Sequence, residues 1–267
     1  MPLTDLQRMV ARILRQFRTE HDYVAGGAAL NTTWLRLSDD MDIFRDYRNS
    51  LQGGVERELT ALRDAGFSIE ITTNDEWIVE AIVRQYGFET KVQWLNDRET
   101  SRRFFPAIDD ENLGYRLHQA DVAVNKVLCA ARRRSAARDA VDLASIVSRY
   151  CPLGPLVWAI AGKAPDSPPP QVIKAIRANA FGYSDDEIRT VRMADDNVMT
   201  RDELRSILEP ALGQANDYCN DVAPEDHIGC LFVNSDQIPV AADLAAISSG
   251  AVRVMNVQDF TPVPRIV

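Results

Sequence analysis

A glycine pair followed, twelve residues later, by two aspartates flanking one apolar residue constrains this chain more than any other feature. The stretch Gly26-Gly27-Ala28-Ala29-Leu30 leads on to Ser38-Asp39-Asp40-Met41-Asp42. Paired glycines let a backbone approach a phosphate with no Cβ in the way, and Ala28-Ala29-Leu30 can start a helix whose first N–H groups bind anions. In a strand, Asp40 and Asp42 share one face while Met41 and Ile43 share the other. Two carboxylates that close repel each other unless a cation lies between them. Hard oxygen ligands beside a phosphate-binding turn point to Mg²⁺ or Mn²⁺ holding a nucleoside triphosphate. Alone, a D-x-D is a polar strand edge and a glycine pair is a turn. Together at this spacing, with Arg36 and Ser38 between them, they form a specific pattern.

That pattern resembles the nucleotidyltransferase superfamily and, within it, the AbiEii-type nucleotidyltransferases, the toxin component of a class of bacterial toxin–antitoxin systems. Their typical order is an apolar strand, GG-T-A-L, then R-x-S-x-D-I-D. Here the segments read Tyr23-Val24-Ala25-Gly26-Gly27-Ala28-Ala29-Leu30 and Arg36-Leu37-Ser38-Asp39-Asp40-Met41-Asp42. Ala28 stands where threonine is usual, which removes a hydroxyl that could have helped hold phosphate or metal. The resemblance implies metal ligation by Asp40 and Asp42, and nucleotide binding by Gly26, Gly27, Arg36 and Ser38. It implies transfer of a nucleoside monophosphate from an NTP to an acceptor, with RNA and especially tRNA suggested, and a cognate antitoxin as partner.

A second block lies in Leu117–Tyr150, which has no Gly or Pro and is rich in Ala, Arg, Leu and Val, a helical composition. It holds Lys126 and then Arg134-Ser135-Ala136-Ala137-Arg138-Asp139-Ala140-Val141-Asp142. AbiEii-type proteins carry a lysine on one helix and R-x-x-x-x-D-x-x-D on the next. The resemblance makes Lys126 the triphosphate-binding cation and Asp139 or Asp142 the acidic residue required for activity. A lysine is a compact charge suited to phosphate, and a carboxylate within reach can accept the proton of an attacking hydroxyl. Asp139 and Asp142 share a helix side. One straight helix would turn Lys126 well away from Asp139, so a break is expected at Arg134-Ser135.

The superfamily's third metal carboxylate usually sits on a later strand. In the strand-like run Thr90–Leu95, Gln93 occupies its expected position. Glu70, between Ile69 and Ile71, has the right flanks one strand early, and Asp139 or Asp142 are the alternatives.

The 267 residues carry a net charge of −9. That balance argues against broad, sequence-independent nucleic-acid binding and keeps a protein or small-molecule acceptor in view. A local basic patch would come from Arg102, Arg103, Arg132, Arg133, Arg134 and Arg138. Cys129, Cys151, Cys219 and Cys230 show no C-x-x-C spacing, and reduced thiols in a cytoplasmic protein are the simplest reading. The N-terminal residues read as an amphipathic helix without a leader-like apolar region, and no run is long enough to span a membrane.

The expected fold class is α/β (α+β): a nucleotidyltransferase-like small mixed sheet covered by helices, then a mainly helical C-terminal part with a few short strands. The expected domains are residues 1–150, catalytic, and 151–267, an accessory region. Strands are predicted at Tyr23–Ala25, Asp40–Phe44, Phe67–Thr72 and Lys91–Leu95. Helices are predicted from Gly27, at Val55–Ala65 with Gly66 as C-cap, and near Trp77–Gln85. Arg98–Leu113 reads as an irregular connection with Asp109-Asp110-Glu111 as an acidic turn. Ser184-x-x-Glu187 and Thr200-x-x-Glu203 read as capping boxes, the second opening a helix that ends at Gly213. Two strands near Ile228–Val233 and Ala251–Met255, with a short helix between them, close the chain.

Overall fold

The computed structural model describes residues 3–30, 36–46, 51–96, 102–132, 136–193 and 198–260. The chain packs into two compact units, Met1–Gln119 with Gln258–Val267, and Ala120–Val257. The sequence-based division at residue 150 is one of function, and this division is one of packing.

The first unit opens with helix α1 (Asp5–Leu14), which starts at a capping box of Thr4 and Gln7. Leu6, Val10, Ala11 and Leu14 recur at helical spacing and are buried. Strand β1 (Asp22–Ala25) runs into helix α2 (Gly26–Leu30), and strand β2 (Asp40–Arg45) returns antiparallel to β1, pairing Asp22 with Arg45 and Ala25 with Asp42. Helix α3 (Leu51–Asp64) is followed by Gly66 at φ +85°. There the Phe67 N–H reaches back to the Leu62 carbonyl, the C-cap expected of that glycine. Strands β3 (Ser68–Asn74), β4 (Ile78–Gln85), β5 (Phe88–Leu95), β6 (Arg102–Arg103), β7 (Ile108–Asp110) and β8 (Gly114–Arg116) follow.

A seven-stranded sheet forms in the order β3-β4-β5-β2-β1-β8-β7. The pairs β2–β5 and β1–β8 are parallel and the others antiparallel, so the sheet is mixed, as expected. Alternation along the strands gives it two characters. Met41, Ile43, Val79, Ala81, Val83, Val92 and Trp94 join the buried residues of α1 and α3 in one core. Each large side chain fully buried there contributes about 1.5–3 kcal/mol. The other face of the same central strands carries Asp40, Asp42, Glu80, Lys91 and Gln93. The core thus holds the sheet, and the opposite face of these strands is polar.

Two local expectations fail in this unit. Trp77–Gln85, read as a short helix, is strand β4. Its Val79, Ala81 and Val83 are buried on every second residue, the period of a strand. It joins β5 through Tyr86 and Gly87, both at positive φ (53° and 79°), the two-residue hairpin geometry that matches strand twist. Arg98–Leu113 is less irregular than expected, since it holds β6 and β7. Asp110 accepts the N–H groups of Asn112 and Leu113, so the acidic run ends β7 and only its Glu111 falls in the turn into β8.

Four charged side chains form a closed buried ring behind the β1–β2 hairpin. Arg18 reaches Asp22 and Glu58, each at 2.5 Å. Arg45 reaches Asp22 at 2.8 Å and also pairs with Glu58. The Trp94 indole N–H donates to Glu58 at 2.8 Å. The ring ties the end of the first helical segment, the hairpin and α3 together at the end of β1 remote from Gly26.

The second unit is mainly helical: α4 (Gln119–Arg132), α5 (Ala137–Arg149), α6 (Leu153–Lys163), α7 (Pro169–Ala180), α8 (Asp185–Arg189) and α9 (Arg201–Asp217). Both capping boxes are present, at Ser184 with Glu187 and Thr200 with Glu203. Helix α9 continues past Gly213, where an end was expected, and holds Pro210 within it. Its buried stripe of Leu204, Leu208, Ala211, Leu212 and Ala215 extends beyond the glycine, so packing overrides the local stop signal. Strands β9 (Leu231–Val233) and β10 (Arg253–Met255) pair antiparallel on either side of α10 (Leu244–Ser248). None of the four cysteines forms a disulfide.

Strand β11 (Gln258–Asp259) pairs with β6 in the first unit. There the Arg103 guanidinium lies between the rings of Tyr23 and Phe260, 4.5 and 4.4 Å from their centroids, and its Nη1 donates to Asp46 at 2.9 Å. Arg103 is fully buried and cannot belong to a surface basic patch. Arg132 pairs with Asp166, and Arg133 and Arg134 lie outside the described residues. No helix among the described residues is long and apolar enough to cross a membrane.

Candidate functional site

The glycine pair makes room for the side chains of the motif that follows it. Gly26 adopts φ +62°, and a Cβ there would collide with Oδ2 of Asp42. At Gly27 a Cβ would stand 2.5 Å from Nη2 of Arg36 and 2.8 Å from Oγ of Ser38. Gly26, Gly27, Arg36, Ser38 and Asp42 are therefore packed as one constellation. The Ser38 hydroxyl donates to the Asp40 carbonyl at 2.8 Å, and Gln7 Nε2 donates to the Ser38 carbonyl at 2.9 Å. Arg36 Nη1 donates to the Leu37 carbonyl at 2.8 Å. These bonds set where β2 begins, and so which face Asp40 and Asp42 occupy. Ala28, in the usual threonine position, is fully buried in the core.

Strand pairing extends the site sideways. Asp42 is in register with Gln93 on β5, and Gln93 is in register with Glu80 on β4. Residues paired in this way share a sheet face, so Asp42, Gln93 and Glu80 form one polar row across three strands. Asp40 is likewise in register with Lys91. Gln93 Nε2 donates to Glu80 Oε2 at 2.7 Å, Lys91 Nζ lies 3.2 Å from the same oxygen, and the Thr72 hydroxyl donates to Oε1 at 2.8 Å. The Thr72 hydrogen bond, followed by those of Lys91 and Gln93, holds the Glu80 carboxyl below its usual range. Glu70 instead pairs with Arg84 at 2.7 Å on β3, two strands away from β5.

The second block is assembled within the second unit. Helix α4 ends at Arg132 and α5 begins at Ala137, so the chain changes helix between Lys126 and the two aspartates, as expected. The proposed break point itself, Arg134-Ser135, lies outside the described residues. Lys126 Nζ stands 2.7 Å from Asp142 Oδ2 and 3.4 Å from Asp139 Oδ1, and both aspartates are almost fully buried. Lys126, Asp139 and Asp142 thus form a single ion cluster. A second buried pair, Lys163 with Asp121 at 2.7 Å, joins α6 to α4.

Glu80 and Lys91 escaped the sequence reading, Glu80 because its segment was taken for a helix. Read as a strand, Ile78-Val79-Glu80-Ala81-Ile82-Val83 puts Glu80 on the face opposite the buried valines, which is the signal that was available. Among the described residues no group of three or more His, Cys, Asp or Glu is gathered to hold a metal. Asp40 and Asp42 are nonetheless a fitting donor set for Mg²⁺, which keeps several waters and commonly takes one or two carboxylates beside substrate phosphates.

No family model matches this sequence, and no curated protein matches it significantly. Among solved structures, the chain is similar to JHP933 from Helicobacter pylori, at 16% identity and a TM-score of 0.50, over 80% of this chain and 95% of that one. It is also similar to an H. pylori protein conjectured to be a nucleotidyltransferase, at 15% identity and a TM-score of 0.48, over 79% and 95%. At such identities the likeness is one of fold alone, and the observed fold is the mixed α/β architecture expected from the sequence.

Proposed function

We propose that this protein is a metal-dependent nucleotidyltransferase that moves a nucleoside monophosphate from an NTP to an acceptor. The observation that carries the proposal is the opening at Gly26, where the absent Cβ leaves room for the Asp42 carboxylate. A glycine is needed there because an acidic side chain must stand beside the start of α2. In this reading Asp40 and Asp42 hold Mg²⁺ or Mn²⁺, and the chain around Gly26 and Gly27 receives the triphosphate. Arg36 and Ser38 keep that turn and the start of β2 in place. The bound cation would offset the negative charge that builds on the phosphates during transfer. The acceptor hydroxyl oxygen attacks the α-phosphorus, the bond from that phosphorus to the bridging oxygen breaks, and pyrophosphate leaves. The resemblance assigns Lys126 to the triphosphate and Asp139 or Asp142 to the acceptor proton.

RNA, especially tRNA, is the acceptor the resemblance suggests, with a cognate antitoxin as partner. The net charge of −9 makes a protein acceptor the alternative. Incubation with radiolabelled NTPs, Mg²⁺ and either total RNA or protein should transfer label to one acceptor, and Asp42→Ala should abolish transfer. Full transfer by Asp40→Ala and Asp42→Ala would refute the reading. A second reading is a nucleotide- or partner-binding module without catalysis. It is favoured by Gln93, a neutral residue in register beside Asp42. Its signature is metal-dependent NTP binding with no labelled product.

A further inference from the structure

We propose that Gln93 supplies a neutral oxygen to the cation at Asp40 and Asp42, and that Glu80 is the positioning residue that turns that oxygen toward them. The inference rests on the metal site of the proposed function. It starts from the row Asp42–Gln93–Glu80, in which adjacent strands are about 4.8 Å apart. A carboxylate that accepts from Lys91 and Thr72 has only acceptor oxygens to offer its other neighbour. Gln93 must therefore present its amide nitrogen to Glu80, as the 2.7 Å bond shows. Nitrogen and oxygen diverge from the planar amide carbon. With the nitrogen bound toward β4, the oxygen is the amide atom left to serve the β2 side, where Asp42 lies in register.

Glu80 is itself held from both ends. Thr72 on β3 fixes Oε1, and Lys91 with Gln93 fixes Oε2. Its side chain cannot swing away without losing three partners. Amide oxygens are ordinary ligands for hard divalent cations, and partners that orient a ligand commonly govern affinity by 10–100-fold. A third oxygen thus comes from β5 with no third negative charge. Glu80, one strand further out, acts through the amide.

The test is Mn²⁺ binding to the full-length protein, read by the electron paramagnetic resonance signal of free Mn²⁺, so no turnover is needed. Glu80→Ala should weaken binding about tenfold. Glu80→Gln should remain within about twofold, because its amide can accept from Lys91 and Gln93 and donate to Thr72. Gln93→Leu should cost about as much as Glu80→Ala, and adding Glu80→Ala to it should cost little more. The Glu80→Ala loss should persist in a Lys91→Met background, which rules out release of Lys91 onto Asp40 as its cause. Equal losses in Glu80→Ala and Glu80→Gln, unchanged affinity in Gln93→Leu, or disappearance of the loss with Lys91→Met would each overturn the inference. Wild-type affinity retained by Asp42→Ala would instead overturn the metal site, and this inference with it. Binding lost in Asp42→Ala but kept in both Glu80→Ala and Gln93→Leu would overturn this inference alone.

Discussion

Oδ2 of Asp42 occupies the space that a Cβ at residue 26 would need, and Gly26 adopts φ +62° beside it. Gly26→Ala therefore meets two costs. A left-handed conformation costs an L-residue about 1–2 kcal/mol, and the new methyl must displace the carboxylate. Urea denaturation should show a loss of at least about 1 kcal/mol, and Mn²⁺ binding should fall with it. Gly53, inside α3 with nothing within 4 Å of an added Cβ, is the control. There Gly53→Ala should stabilise by about 0.5–1 kcal/mol and leave Mn²⁺ binding unchanged. Similar behaviour of the two variants would show that Gly26 is an ordinary turn glycine.

The ring of Arg18, Asp22, Arg45 and Glu58 balances two positive against two negative charges, all buried. Glu58→Gln keeps the shape and removes one charge, leaving two guanidinium groups to share Asp22. Breaking a buried pair from one side typically costs about 3–5 kcal/mol. The thermal midpoint of the first unit should drop accordingly at pH 7. Loss of the Glu58 charge without a change in midpoint would mean that water already screens the ring.

Burial raises the Asp22 carboxyl from 3.8 to about 6, against the opposing pull of Arg18 and Arg45. A carboxyl raised in the folded state adds stability that is complete below its unfolded value and is lost as pH climbs through the folded one. Between about pH 4 and 6, Asp22 should therefore cost the protein on the order of 2–3 kcal/mol. Asp22→Asn has no proton to lose there. Whatever its absolute stability, the variant should gain on the wild type across that window and then hold level. Parallel stability curves for the two proteins from pH 4 to 7 would show that Asp22 does not titrate there.

Where the sequence could be read, the cause was local. Gly66 closes α3, Thr4, Ser184 and Thr200 open helices with their own side chains, and the alternation around Met41 and Ile43 shows which side of β2 is buried. That Asp40 and Asp42 share a strand face was legible from alternation within a short stretch, whereas the grouping of Lys126 with Asp139 and Asp142 was implied only by the resemblance. The β4–β5 hairpin was not, since its turn is Tyr86-Gly87 rather than the usual Asn-Gly, and missing it concealed Glu80. Register was beyond reach of the residues alone, although the resemblance put Gln93 at the position of the third carboxylate. That Gln93 lies beside Asp42 and not a residue earlier depends on pairing between strands separated by α3 and a whole hairpin. The ring around Glu58 joins residues from four separate segments, and no linear pattern announces it.

Lys126 lies 2.7 Å from Asp142 and 3.4 Å from Asp139, which gives it a structural role beside the one proposed in phosphate binding. Lys126→Ala takes the ammonium from between two carboxylates on one helix side, so the second unit should lose about 3–5 kcal/mol. Adding Asp142→Asn removes the repulsion between the two carboxylates and should recover part of that loss. Thermal denaturation of the single and double variants measures both effects. The double variant then permits the functional question to be asked of a folded protein. If Lys126 binds the triphosphate, NTP affinity should be weaker in Lys126→Ala/Asp142→Asn than in Asp142→Asn alone. Equal affinity in those two proteins would confine Lys126 to holding α4 against α5.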